Sequence, residues 1–381
     1  MMLQMREIQM VDLRAQYDKI SNEVDEAISS VLKSSAFIKG PDVKLFEEDL
    51  QKFLGVKHVI SCANGTDALQ IAMMALGLKP ADEVITTNFT FIATVEVIAL
   101  LGLVPVLVEP EEGSFNISPE AIIKAITPGT KAIVPVHLFG QCADMEVIMK
   151  IAAEHNLYVI EDAAQATGAD YIYKNKTLKK AGTIGHIGTT SFFPSKNLGC
   201  YGDGGALYTN DDNLANKIRS ISNHGMKVRY YHDDIGVNSR LDTIQAAILR
   251  IKLKNLENYN SARRAAADFY DESFLGCSKI KVPERMNYSS HIFHQYTLKI
   301  LNGKRQALKE YLESKKIPSM IYYPVPLHMQ TAYSYLRHRR KDFPLTEKLC
   351  SEVLSLPMHP ELDQEQLEYI TLNVLEFFEK H

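Results

Sequence analysis

At 381 residues the chain is well above the size at which core burial is marginal, and its length predicts one large domain with a smaller one beside it. Its 42 basic and 46 acidic residues leave a formal charge of −4, which excludes a nucleic-acid footprint built on bulk charge, so any anionic ligand must be caught locally. Five scattered cysteines without a C-x-x-C pair argue against a disulfide framework and a zinc site, and for a reducing, cytoplasmic compartment; no targeting segment or membrane span is expected.

In chain order, Asn22–Leu32 and Phe46–Phe53 read as entry helices. Strands are then predicted at His58–Cys62, Glu83–Thr87, Val104–Val108, Lys131–Val136, Leu157–Glu161, Thr189–Phe193 and Ala206–Thr209, with helical periods between most of them. Near-continuous apolar runs such as AIVPV and LYVIED fit strands buried on both faces, hence a mostly parallel α/β sheet covered by helices. Beyond it a helix is expected at Asp211–Ser222 and a long helical bridge at Leu241–Tyr270. A strand at Tyr296–Ile300, a helix at Lys304–Ser314, a strand at Ser319–Ile321 and a terminal helix at Asp363–Glu379 make a smaller α/β piece. The division is 1–250 for the large domain and 251–381 for the small one.

Ligands of such sheets bind at the carboxyl ends of the strands, so the residues that follow each strand are where chemistry is sought. SCANGTDAL, Ser61 to Leu69, aims the amides of Gly65 and Thr66 at whatever lies over a helix start, as an anion site or as an ordinary cap. NFTFIAT, Asn88 to Thr94, puts Phe91 where it can stack on a flat heterocycle or simply join the core. VIEDAAQ ends a buried strand in Glu161 and Asp162; a carboxylate there can hold a pyridinium proton, with Gln165 near the ring oxygen, or cap a helix. SFFPSKNLGCYGDGGA, Ser191 to Ala206, holds Lys196 among apolar neighbours that lower an amine's pKa, beside a hydroxyl, Ser191, and a glycine turn that suit a phosphate. Lys196 is therefore read as a covalent cofactor anchor. GVNSRLD places Asn238 and Arg240 at a helix start outside this sheet, where they can serve a neighbouring subunit. His291 and His294 lack acidic or cysteine companions and are read as non-metal residues, and RHRRK, from Arg337, as a solvated loop.

Taken in order, NGTDAL, FTF-x-AT, VIEDAAQ, SFFPSK-x-LG-x-YGDGGA, HG and GVNSRLD resemble the sugar aminotransferases of the DegT/DnrJ/EryC1/StrS family over nearly the whole chain. The resemblance implies the type I pyridoxal phosphate-dependent transferase fold, with a seven-stranded sheet domain, and a homodimer with shared sites. It implies Lys196 as Schiff-base lysine, Asp162 as pyridine-nitrogen partner, Gln165 near the ring oxygen and Phe91 stacked on the ring. Gly65, Thr66 and Ser191 would cradle the phosphate, joined by Asn238 from the partner subunit. The forms FGQCAD and CANGTDALQ look most like the branch that aminates C3 of a UDP-linked 3-keto-N-acetylglucosaminuronate with L-glutamate as donor, for bacterial surface polysaccharide such as O-antigen. C4 amination of a dTDP-, UDP- or GDP-linked 4-keto-6-deoxy sugar is the alternative, and a non-catalytic cofactor-binding protein a further one. Arg240, Tyr322 and Tyr323 are the implied substrate contacts. Relatives carry His-Tyr-Pro where this chain has Tyr322-Tyr323-Pro324, and a phenol cannot supply the cationic donor that an imidazolium can.

Overall fold

The computed structural model describes residues 6–380. Helices α1 (Leu13–Ser34) and α2 (Pro41–Leu54) lead into β1 (His58–Cys62), after which helix and strand alternate: α3 (Gly65–Ala75), β2 (Glu83–Thr87), α4 (Ala93–Leu100), β3 (Val104–Val108), α5 (Pro119–Ala125), β4 (Thr130–Val134), α6 (Met145–Glu154) and β5 (Tyr158–Asp162). A hairpin of β6 (Asp170–Ile172) and β7 (Leu178–Lys180) precedes β8 (Ile187–Ser191) and β9 (Gly205–Thr209). Seven strands form one sheet in the order β1-β9-β8-β5-β4-β2-β3. Only β9 runs against its neighbours; the pairs β2–β3, β2–β4, β4–β5 and β5–β8 are parallel.

The apolar runs become strands sandwiched between two helical layers, as the sequence predicts. One core joins Ile60, Ile160 and Leu207 of the sheet to Leu69, Ile71 and Met73 of α3, while another joins Ile85, Ile133 and Val159 to Met145 and Ile148 of α6. Four strands differ from the sequence reading by one or two residues at an end, at Thr130–Val134, Tyr158–Asp162, Ile187–Ser191 and Gly205–Thr209. The second of these matters chemically, because Asp162 is the last residue of β5 rather than the first of the loop.

The chain continues through α7 (Asp212–Ile221), a short hairpin of β10 (Met226–Val228) and β11 (Tyr231–His232), α8 (Thr243–Lys254), α9 (Leu256–Ser273), β12 (Ile280–Lys281), β13 (Tyr296–Ile300), α10 (Arg305–Ser314), α11 (Pro344–Glu352), β14 (Val353–Leu356) and α12 (Gln364–Lys380). The single long helix expected over Leu241–Tyr270 is two helices broken at Asn255, whose side-chain amide donates to the Ile251 carbonyl and competes with the helix ladder. The strand expected at Ser319–Ile321 is reduced to one reciprocal bridge between Met320 and Ser355, since Pro318 cannot extend the pairing. A separate core lies under β12–β13–β14, built from Tyr270, Phe293, Leu298, Leu308, Ile370 and Val374. Ile8 belongs to it, and the Met358 amide donates to the Met10 carbonyl, so the first described residues pack with the C-terminal elements. Among the described residues no helix is long and apolar enough to cross a membrane.

Candidate active site

The pleat of β5 separates its two carboxylates, because successive side chains of a strand point to opposite faces. Glu161 is fully buried and saturated: it accepts from the amides of Gly182 (2.9 Å), Ile184 (2.6 Å) and Gly185 (2.5 Å) and meets His137 Nε2 at 2.8 Å. Those bonds offset the cost of burying the charge and leave it a structural acid that anchors the 182–185 turn. Asp162 accepts one bond per oxygen, from the Thr94 hydroxyl (2.9 Å) and the Ala164 amide (3.2 Å), and its charge is felt at Lys196. An ionised carboxyl offers about four lone pairs, so Asp162 retains capacity for a further donor.

Lys196 sits on a tight turn whose amide donates to the Phe193 carbonyl at 2.8 Å. The next residue, buried Asn197, fixes that turn by donating to Asn260 Oδ1 (2.7 Å) and to the Ile292 carbonyl (3.3 Å). Burial holds the Lys196 amine down to about 8, with the Asp162 charge opposing, so a neutral nucleophilic form is accessible near physiological pH. Its amine makes no hydrogen bond to any described residue.

The start of α3 meets the end of β8 at backbone contact. A Cβ on Gly65 would lie 2.7 Å from Cβ of Ser191, and one on Gly205 would lie 2.4 Å from the Asn64 carbonyl oxygen. Only glycine permits this approach, and it sets the free amides of the first turn of α3 beside the Ser191 hydroxyl. Asn64 caps the helix through the Asp67 amide at 2.8 Å, while Gly65 and Thr66 precede that capped position. Gly65→Ala is expected to destabilise the protein by about 1–3 kcal/mol through overpacking and to weaken retention of a phosphate-bearing cofactor; denaturant melts with and without added cofactor check both.

Phe91, 52% exposed, follows β2 and packs its ring against Tyr323 with centroids 6.1 Å apart. Tyr323 ties the segment after α10 to the loops after β2 and β5: its hydroxyl accepts from Gln165 Nε2 at 3.2 Å, and its ring contacts Phe89 and Tyr322. Burial pushes the phenols of Tyr322 and Tyr323 up, so both stay neutral donors. Gln165 Oε1 accepts from the Phe139 amide at 2.7 Å, leaving one proton of its amide group free. Lys196, Asp162, Gln165, Phe91, Tyr322 and Tyr323 are thus linked, and Gly65 meets Ser191, with Thr66 half-buried beside them.

Among the described residues, Asn238 and Arg240 make no hydrogen bond or ion pair with that group. Asn238 is exposed and bridges Asn223, Ser239 accepts from the Ala63 amide at 3.0 Å, and Arg240 lines a separate cleft. His291 stacks on Phe293 at 3.8 Å and His294 bonds Asn197 at 3.3 Å; burial lowers both imidazoles, His291 to about 3. The RHRRK run is solvated save for half-buried His338. Thr94 and Asn197 lie inside the quoted motifs and carry roles the sequence marks only weakly, as a hydroxyl three residues past Phe91 and an amide adjoining the lysine.

A desolvated amine, a carboxylate with spare acceptor capacity, an exposed aromatic face and a cradle that a Cβ would fill match the four demands of pyridoxal phosphate: imine anchor, ring-nitrogen partner, ring support and phosphate seat. Sheet and site together define a pyridoxal phosphate-dependent aminotransferase of fold type I. The profile of the DegT/DnrJ/EryC1/StrS aminotransferase family matches residues 18–375, and the chain belongs to that family. It is 46% identical over 374 residues, 97% of this chain and 98% of the relative, to a protein of Geobacillus stearothermophilus described as a pleiotropic regulatory protein. It is 45% identical to the UDP-2-acetamido-2-deoxy-3-oxo-D-glucuronate aminotransferase of Pseudomonas aeruginosa, covering 95% of this chain and 98% of that one. The solved structure of DesV from S. venezuelae in complex with a ketimine intermediate superposes with a TM-score of 0.94 at 37% identity, covering 98% of this chain and 99% of that one.

Proposed function

We propose that the chain transfers the amino group of L-glutamate to C3 of a UDP-linked 3-keto-N-acetylglucosaminuronate, releasing 2-oxoglutarate and a 3-amino sugar nucleotide for surface polysaccharide. The observation that carries the chemistry is the approach of Lys196 to Asp162 across the ends of β5 and β8. The sugar rests on the likeness to the Pseudomonas enzyme.

Bound pyridoxal phosphate supplies an electron sink that makes the Cα proton of an amino donor acidic. Lys196 would hold the cofactor through Nζ, and the same amine, when free, would take the Cα proton of the donor and return a proton to the sugar carbon that receives nitrogen. Asp162, steadied by Thr94 and the Ala164 amide, keeps a proton on the pyridine nitrogen. The Gly65 and Thr66 amides and the Ser191 hydroxyl would bind the phosphate, Phe91 would support the ring, and the free Gln165 proton would serve the ring oxygen. Asn238 and Arg240 are read as contributions to a partner's site in a homodimer. The hairpin just before them supports this, since Tyr230, Tyr231 and Ile235 are 75%, 70% and 89% exposed. Five unpaired thiols support a reducing cytoplasm.

Tyr322 favours a second reading, in which the keto sugar lacks the uronate carboxylate, as 4-keto-6-deoxy sugars do, because the phenol offers no positive charge to pair with it. One spectral titration separates the readings. The purified protein is expected to be yellow, to bleach with glutamate, and to regain colour with the 3-keto uronate nucleotide. Recovery only with a 4-keto or uncharged sugar supports the second reading, and absence of bleaching sinks transamination.

A further inference from the structure

Lys39 precedes α2 with a left-handed backbone, φ 52°, and its side chain borders a cleft of about 280 Å³ shared with Arg219 and Arg240. Four cations, Lys39, Lys44, Arg219 and Arg240, and one carboxylate, Glu47, line the cleft; burial and then Arg240 and Arg219 lower the Lys39 amine, while Glu47 raises it. Glu47 is already committed, accepting from the Ser61 amide (2.9 Å), the Ser61 hydroxyl (2.8 Å) and Arg219 (3.1 Å). Arg219 also donates to the Val59 carbonyl at 3.1 Å. Lys39 and Arg240 therefore face one cavity as like charges, neither with an ion-pair or hydrogen-bonding partner among the described side chains. Such a pair is destabilising unless an anion lies between its members. The first turn of α2 adds to the field: Gly40 supplies no side-chain cap, and Gly40, Val43 and Lys44 line the same cleft with the positive end of a 14-residue helix.

We propose that Lys39 and Arg240 together grip the diphosphate of the nucleoside-diphosphate substrate. The inference rests on the nucleotide-sugar reading above and adds Lys39 and the α2 start to the substrate site. A planar guanidinium paired with a point-charge ammonium suits two adjacent phosphates, one held by a fork and one by a mobile charge. The proximity of Ser239 and Ser61 to the cleft connects it to the segment that carries Asn238.

The test is calorimetric binding of UDP, uridine and inorganic pyrophosphate to the cofactor-loaded enzyme and its Lys39→Met variant. The expected result is a loss of UDP affinity of about ten-fold or more, a shallower salt dependence, unchanged weak uridine binding, and an unaltered cofactor absorption band. Lys39 lies on the surface, so the variant is expected to fold; a melting curve matching the parent confirms that the loss is local. Equal UDP affinity in parent and variant overturns this inference while leaving the nucleotide-sugar reading intact. A parent that binds none of UDP, dTDP or GDP overturns both. Equal weakening of UDP and free pyrophosphate supports the assignment to the diphosphate, whereas a loss confined to UDP with pyrophosphate untouched overturns it.

Discussion

Lys196→Ala is expected to lose at least about 10³-fold in turnover, measured as 2-oxoglutarate formed from glutamate in the presence of keto sugar nucleotide. Two roles disappear together, since the proposed mechanism has the same Nζ anchor the cofactor and carry the proton in both half-reactions. The fold should survive, because the turn is held by backbone bonds and by Asn197 rather than by the amine. A pH measurement on the apoprotein adds a second handle. The amine sits near 8 instead of 10.5, so the rate at which added pyridoxal phosphate is captured should rise as pH passes 8. Between pH 8 and 10.5 the unfolded chain binds the proton that the folded one has released, so stability of the apoprotein rises with pH across that window. Below pH 8 the burial penalty is fully present. Lys196→Met removes the slope, and a variant with undiminished turnover would refute the assignment.

How much of this was legible in the sequence depends on whether the signal was local. The strand ends were, because apolar runs bounded by polar clusters need no knowledge of neighbours. Period-two alternation also shows that Glu161 and Asp162 face opposite ways. It does not say which face holds the ligand, since that depends on which helical layer lies open; Glu161 turned out to be spent on His137 and three amides. The Gly65–Ser191 contact, proposed as the phosphate cradle, joins residues 126 positions apart, and no window of sequence reports it. Gln165 illustrates the opposite case. Its place after the strand is plain, but its bonds to Phe139, after β4, and to Tyr323, from the C-terminal part, are contacts distant in sequence. The helix break at Asn255 escaped because a lone asparagine in an Ala- and Leu-rich run is a weak stop, decided by tertiary packing.

Asp162→Asn is the companion test, and its expected effect is a fall of roughly 10²–10⁴-fold in kcat. The carboxamide keeps the shape and can still meet Thr94 and Ala164, so the site should remain assembled and bind cofactor. What it lacks is the negative charge that keeps a proton on the pyridine nitrogen, and without that proton the ring withdraws electrons poorly. The loss should therefore appear in kcat, with a shifted visible absorption band and little change in the KM for glutamate. Thr94→Val leaves the charge and removes one of its two donors, so it should cost less than the asparagine variant and move the band in the same direction. In the proposed mechanism Asp162 makes acidic the proton that Lys196 moves, so the two residues act on one step and their effects should not add. The double variant Lys196→Ala with Asp162→Asn is expected to be no slower than Lys196→Ala alone, and an asparagine variant within ten-fold of the parent would separate Asp162 from the chemistry altogether.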